Sequence, residues 1–329
     1  MGTGGKGVAK LSFKKEISGQ VRTKSLASII GCLAGAGLLL IIPSILGRSW
    51  ITLITEIMIY GLFAVSFNLV LNYTGMLAFG HAAFFGLGAY SCALLLLKAK
   101  MPMVLGLIAA PIFAGAAGLV MGWISIRLTG FFFSFITMGL AQMVWGIFHH
   151  WRGGGGADGI FGVPLMSVFY SATNFYYLTL GIVAVSLAAL RLIVNSPLGL
   201  TFQAIRDSPM RTEFVGVNYR RYKLASFVIS AFFSGVAGAL ICLLNRCAYP
   251  ELLHWMTSGV PLIMSLLGGM SFFLGPVVGA VVFVGFDKIV SSFTTYWPLT
   301  LGIIILLIVL FLRGGIIGFI FERRRHQAV

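Results

Sequence analysis

From one end to the other the chain repeats a single pattern, an apolar run of about 20 residues followed by a short polar break. The runs are Leu26–Leu46, Thr52–Asn72, Met76–Leu97, Met103–Ile126, Phe131–Phe148, Tyr177–Val194, Leu224–Leu244, Thr257–Phe286 and Leu299–Ile320. A helix rises about 1.5 Å per residue, so about 20 apolar residues cross roughly 30 Å of hydrocarbon. Phe131–Phe148 and Tyr177–Val194 stand at the short end. Inside lipid a helix satisfies its own backbone. The residues are 59% hydrophobic and only 9% charged, against about 25% charged in a soluble domain. The predicted fold is an all-α polytopic transmembrane helical bundle. The 42 glycines fit it, since small residues let membrane helices approach closely.

The charge is placed as well as biased. The formal net charge of +15 would fit a nucleic-acid binder, but its clusters flank the apolar runs. Six Lys/Arg lie between Lys6 and Lys24, five between Arg206 and Lys223, and three form Arg323–Arg325. That is the positive-inside pattern, and no nucleic-acid partner is expected. Met1–Ser25 is too long and polar for the head of a cleaved leader, so Leu26–Leu46 is predicted to be a retained first span. Six alternating crossings from a cytoplasmic N-terminus return the chain inside at Asn195, where the basic loop begins. The same count puts Trp151–Tyr176, with its Gly153–Gly156 run, outside as a flexible turn. Beyond Leu224–Leu244 the count fails by one reversal if Arg323–Arg325 is cytoplasmic. Thr257–Phe286 carries Pro261, Gly268–Gly269 and Gly275–Pro276, and a broken hairpin there restores it. The expectation is about eight full spans plus a broken or re-entrant segment, with both termini cytoplasmic. Residues 1–25 form a basic N-terminal segment, 26–320 the membrane domain with a cytoplasmic loop at 195–223, and 321–329 a basic tail.

In the basic loop Leu198, Phe202 and Ile205 fall at helical spacing, Pro209 interrupts the helix, and Gly216 and Asn218 are stop signals after Phe214 and Val215. By itself this pattern fits a helix resting on headgroups or one docking on a partner.

Several ordered stretches resemble the branched-chain amino-acid ABC-transporter permeases of the M type, a family with a urea-transport branch. They are Asn72–Tyr90 (NYTGMLAFGHAAFFGLGAY), Gly199–Asp207, Gly216–Ala239, Leu267–Ala280 and Arg313–Gly318, which together sample about three quarters of the chain. The resemblance implies a permease subunit of an ATP-driven bacterial inner-membrane importer working by alternating access. It implies a homologous permease forming a pseudo-twofold pore, two cytoplasmic ATP-binding subunits and a periplasmic substrate-binding protein, with membrane lipid around them. Branched-chain amino acids are the implied substrates; urea, short amides or other amino acids are the alternatives within the family. Where the family commonly has Arg-Glu-Asn-Glu, this chain has Arg206-Asp207-Ser208-Pro209, and the loop helix is expected to break at Ser208.

No catalytic group is expected. There is no Gly-x-x-x-x-Gly-Lys-Ser/Thr loop, so hydrolysis falls to another chain. The four cysteines, Cys32, Cys92, Cys242 and Cys247, lack metal-ligand spacing and read as packing residues; neither cofactor nor metal is expected. In the loop, Phe202 and Ile205 are expected to enter an ATPase groove while Arg206, Asp207 and Glu213 fix its orientation and Gly216 permits close approach. Glu56 and His81 are the ionisable groups most clearly inside spans, where such groups face a cavity or a polar partner. His81 is either a hydrogen-bonded structural residue or a group on the translocation path. Tyr73, Thr74 and Gly75 are expected to break their helix and expose backbone to substrate, as transporter sites do, with Gly268 and Gly269 opposite. A standalone channel or a proton-coupled carrier is the rival class; the basic loop and the lack of paired membrane carboxylates argue against both.

Overall fold

The computed structural model describes residues 43, 47–293, 299–300, 302–303, 306 and 315–319. Apart from Pro43, the predicted span Leu26–Leu46 and the basic segment before it lie outside the described residues, as does Arg323–Arg325. Leu299–Ile320 is described at a few positions, all helical. The chain divides into two units, Met1–Ile51 and Thr52–Val329, and the helical bundle belongs to the second.

The helices are α1 (Arg48–Asn68), α2 (His81–Leu97), α3 (Met103–Ser125), α4 (Phe131–His150), α5 (Ala172–Asn195), α6 (Pro197–Asp207), α7 (Pro209–Phe214), α8 (Tyr219–Asn245), α9 (Gly259–Gly268) and α10 (Gly275–Phe293). Among the described residues six segments are long and apolar enough to cross a membrane: α1 with the π-helical turn Leu69–Tyr73 that extends it, α3, α4, α5, α8 and α10. The predicted third span is shortened. Its residues Met76–Gly80 are not helical, and α2 has only 17 residues, about 26 Å. The predicted run Thr257–Phe286 breaks at Gly269–Leu274 into the short α9 and the full-length α10.

The centre is a seam of α2, α3 and α8. Backbones meet there because glycines remove the side chains between them. A Cβ on Gly88 would strike Gly235, and one on Gly238 would strike the Phe85 carbonyl. Around the seam Phe84, Met121, Phe133, Phe227 and Ala231 form one buried apolar cluster. On α4 the opposite face is bare, with Phe131, Phe132 and Phe135 exposed, as a lipid-facing helix requires.

At one end of the bundle the Gly-rich run is held in place. Ile160–Phe161 (β1) pairs antiparallel with Cys247–Ala248 (β2), Ile160 opposite Ala248. Lys98 Nζ donates to the Gly153 carbonyl and lies 5.3 Å from the Trp151 ring. The turn expected to be flexible is therefore tied to α2 and to the strand that comes after α8. Cys92 and Cys242 are buried in the seam. Cys247 lies outside the helices, and burial pushes its thiol pKa up, which lowers its reactivity.

Candidate functional site

The site begins where α1 ends. The π-helical turn Leu69–Tyr73 closes it, and Gly75 (φ +73°) turns the chain out of the helix; left-handed backbone is cheap only for glycine. Helix ends leave carbonyls without intrahelical donors, and here three of the donors can be named. Thr74 Oγ1 donates to the Leu69 carbonyl (3.1 Å) and Met76 N to that of Val70 (3.0 Å). Arg206 Nη1, from α6, donates to the Asn72 carbonyl at 3.0 Å. A guanidinium at a helix C-terminus also meets the negative end of the dipole. A Cβ on Gly75 would stand 2.9 Å from Arg206 Cγ, so the turn and the loop helix are in direct contact. Tyr73, Thr74 and Gly75 are thus brought together with Arg206.

The loop helix is built with an inside and an outside. Ser196 and Pro197 start α6; Ser208, extended at φ −164°, ends it, and its Oγ accepts from Arg211 N to cap α7. The break expected at Ser208 is present. Phe202 and Ile205 are only 0% and 1% exposed. That corrects their assignment as knobs for a partner: both side chains are already used inside the chain, anchoring α6. The outward surface carries Leu200, Met210, Phe214 (86% exposed) and Val215 (83%). Between α6 and α7 runs an open groove of about 520 Å³, lined by Leu200, Ala204, Asp207, Arg211 and Val215 among others. Asp207 and Glu213 are exposed, and Arg206 pairs with Asp207 at 3.3 Å. Gly216 has open space around it and φ +88°, so within this chain its requirement is the turn that ends α7.

His81 stands apart from these residues, fully buried at the start of α2. Phe67, Phe84 and Phe227 present edge-on rings to it at 4.9, 5.5 and 5.6 Å. Its Nε2 lies 2.8 Å from Ser230 Oγ, which donates to the Ser66 carbonyl at 2.5 Å. A carbonyl only accepts, so the single hydroxyl proton of Ser230 is committed and His81 Nε2–H is the donor. Ser66 Oγ lies 2.9 Å from Ser234 Oγ. These bonds tie α1, α2 and α8 together at one level. Ala82 N, among the first donors of α2, is capped by Ser258 Oγ at 2.8 Å, and Ser134 Oγ donates to the Leu77 carbonyl in the non-helical segment (2.6 Å).

Gly268 and Gly269 form the turn between α9 and α10. Gly268 lies on the backbone of Gly275 and Gly279, and Gly269 takes φ +105°. Asn68 Nδ2 donates to the Met270 carbonyl at 3.1 Å, linking this turn to the end of α1. Glu56 meets Lys288 of α10 at 3.6 Å. Asn68, Asn72, Ser66 and Ser230 make the long-range bonds of this region, and the sequence patterns do not single those bonds out. Polar residues inside apolar runs are the available signal, but their partners lie 134 to 202 residues away.

The family described as the branched-chain amino acid transport system permease component matches residues 49–319. The chain belongs to this family. Two relatives are the high-affinity branched-chain amino acid transport system permease proteins LivM of Escherichia coli K12 and Salmonella typhimurium LT2. They are 27% and 26% identical over 303 residues, covering 84% of this chain and 71% of theirs. No solved structure matches the chain. The permease is a multi-pass protein of the bacterial inner membrane and the non-catalytic membrane component of its transport system. Family membership brings the general ABC architecture of permease, ATPase and binding protein.

Proposed function

We propose that this permease, paired with a homologous permease, carries branched-chain amino acids inward while two cytoplasmic ATPases dock on α6–α7 and a periplasmic binding protein delivers the substrate. The observation that carries the proposal is the two-sided α6–α7 segment. Phe202, Ile205 and the Arg206–Asn72 bond fasten it to the bundle, while Leu200, Met210, Phe214 and Val215 face outward beside Asp207 and Glu213. A push on such a segment is transmitted to the end of α1 instead of being lost in a loose loop. A helix merely resting on headgroups does not require the Arg206 link to the π-helical turn.

In this reading 195–223 is the cytoplasmic coupling loop, and the chain makes about eight full crossings, the shortened α2 among them, plus the broken segment α9–α10. The turn at Gly269–Leu274 is the apex of a hairpin whose limbs start and finish on the outer side, so both termini are cytoplasmic. Tyr73, Thr74 and Gly75, with Gly268 and Gly269, are the movable backbone of the path, bridged by Asn68 and Met270. His81 holds the frame beside them: its ring is sealed by three phenylalanines and its Nε2–H is used by Ser230.

The test is reconstitution of the four-part transporter in proteoliposomes with leucine and urea as competing substrates. ATP-dependent leucine uptake that disappears when the ATPases are omitted is expected. Uptake without any ATPase would overturn the assignment, and preference for urea would overturn the substrate.

A further inference from the structure

We propose that the junction of α3 and α8 is a binding site for an anionic phospholipid, with Arg127, Arg220 and Arg221 holding the phosphate and the outer face of α3 the acyl chains. The groove there measures about 550 Å³ and is lined by Trp123, Ile126, Arg127, Arg220, Arg221 and Leu224. Its guanidiniums make no ion pair within 4 Å, and Glu213 acts on Arg220 only from farther away. Among the described residues the ion pairs within 4 Å are Arg206–Asp207 and Lys288–Glu56. Arg127 instead lies over the Trp123 ring at 4.7 Å, and Arg220 donates to the hydroxyl of its neighbour Tyr219 at 3.4 Å.

The helix makes the need for an anion stronger. Arg220 and Arg221 stand in the first turn of the 27-residue α8, with no acidic residue in that turn. The positive end of the helix dipole is there as well, so like charges are stacked where a helix favours an anion. Arginine, with its planar fork of donors, is suited to phosphate.

What separates a lipid from a soluble anion is the surface joined to the groove. Ile112, Ala116, Val120 and Trp123 succeed one another at three- and four-residue spacing on α3, Arg127 follows four residues on, just past the helix end, and all are exposed. This is a continuous apolar stripe that ends in a tryptophan, 60% exposed, and then in a cation. Tryptophan favours the headgroup level and arginine the water above it. Basic pockets between membrane helices suit phospholipid headgroups. The inference rests on the membrane location alone and stands whatever the transported substrate is.

The test is native mass spectrometry of the assembled, delipidated transporter with added phosphatidylglycerol or phosphatidylcholine. Wild type is expected to retain phosphatidylglycerol preferentially, and R127Q/R220Q/R221Q to bind it about a hundredfold more weakly. Arg152→Gln, at the other end of the bundle, serves as the control and leaves binding unchanged. The lysine triple variant, which keeps the charge, is expected to recover most of the affinity. Equal retention of the two lipids by wild type overturns the proposal without reference to any variant. So does unchanged phosphatidylglycerol binding in the triple glutamine variant. Displacement by inorganic phosphate beyond that by chloride of equal ionic strength would assign the arginines to a free anion instead.

Discussion

The hub around His81 and the α6–α7 segment use phenylalanine and hydrogen-bonded polar groups for different ends. In the hub every ring faces another ring, and serine hydroxyls are bonded across helices far apart in sequence, as with Ser230 and Ser66. In α6–α7 one phenylalanine, Phe202, is buried while another, Phe214, is almost wholly exposed. The exposed one is held on a helix of six residues capped by Ser208. The difference teaches that the hub's rings are enclosed by the bundle, whereas the loop segment leaves an apolar surface bare. Between them lies the end of α1, whose carbonyls are held partly by its own turn and partly by Arg206.

If that contrast is right, substitutions in the hub should lower stability and those on the outer side of α6–α7 should lower transport alone. The largest expected loss is from Gly238→Leu, because its side chain would run into the Phe85 backbone. Overpacking there costs about 3 kcal/mol or more, and thermal unfolding of the purified complex should be visibly earlier. A normal melting temperature would mean that the seam can part. His81→Ala should cost about 2 to 3 kcal/mol, from a cavity inside the aromatic box and the lost donor to Ser230 Oγ; the readout is again unfolding. Restored stability in His81→Asn would assign the effect to the hydrogen bond more than to the ring.

Gly216→Val is expected to cost about 1 to 2 kcal/mol, because φ +88° is strained for a branched residue. It should also lower coupling, measured as substrate moved per ATP hydrolysed. Arg206→Gln removes a part-exposed charge and its bond to Asn72, at about 1 kcal/mol once solvent screening is allowed for. Its transport defect should be worse than its stability defect. The smallest effect on folding, within about 0.5 kcal/mol, belongs to Phe214→Asp. Transport should nonetheless fall about tenfold or more, with loss of ATPase subunits on purification. Full retention of those subunits would show that Phe214 is not part of the grip.

Much of the bundle is legible in order and type. The apolar runs at 103–126, 177–194 and 224–244 form α3, α5 and α8 within a few residues, because twenty apolar residues in lipid have one good solution. Pro209 locates the break at Ser208, since proline restricts the residue before it. The third run misleads. Met76–Gly80 is apolar enough to continue a helix, yet its carbonyl at Leu77 is satisfied by Ser134 of α4, a partner that no local rule could supply. For the candidate site the sequence marks the helical stripe of the loop but not which way its residues face. Leu198, Phe202 and Ile205 share a helical stripe, but Phe202 and Ile205 turn inward and Leu198 stays exposed.

What the sequence alone determined is the solvent: composition and run length required lipid, and the placement of charge marked the basic loop as a distinct surface. Only the tertiary structure decided which face of that loop is free, that Met76–Gly80 stays out of the helix, and that His81 is enclosed. The reason is physical. Burial in lipid is a property of a segment's own residues, whereas a free face or a satisfied carbonyl depends on what arrives from elsewhere in the chain. In this permease those arrivals, Arg206 on Asn72 and Ser230 on Ser66, come from 134 and 164 residues away.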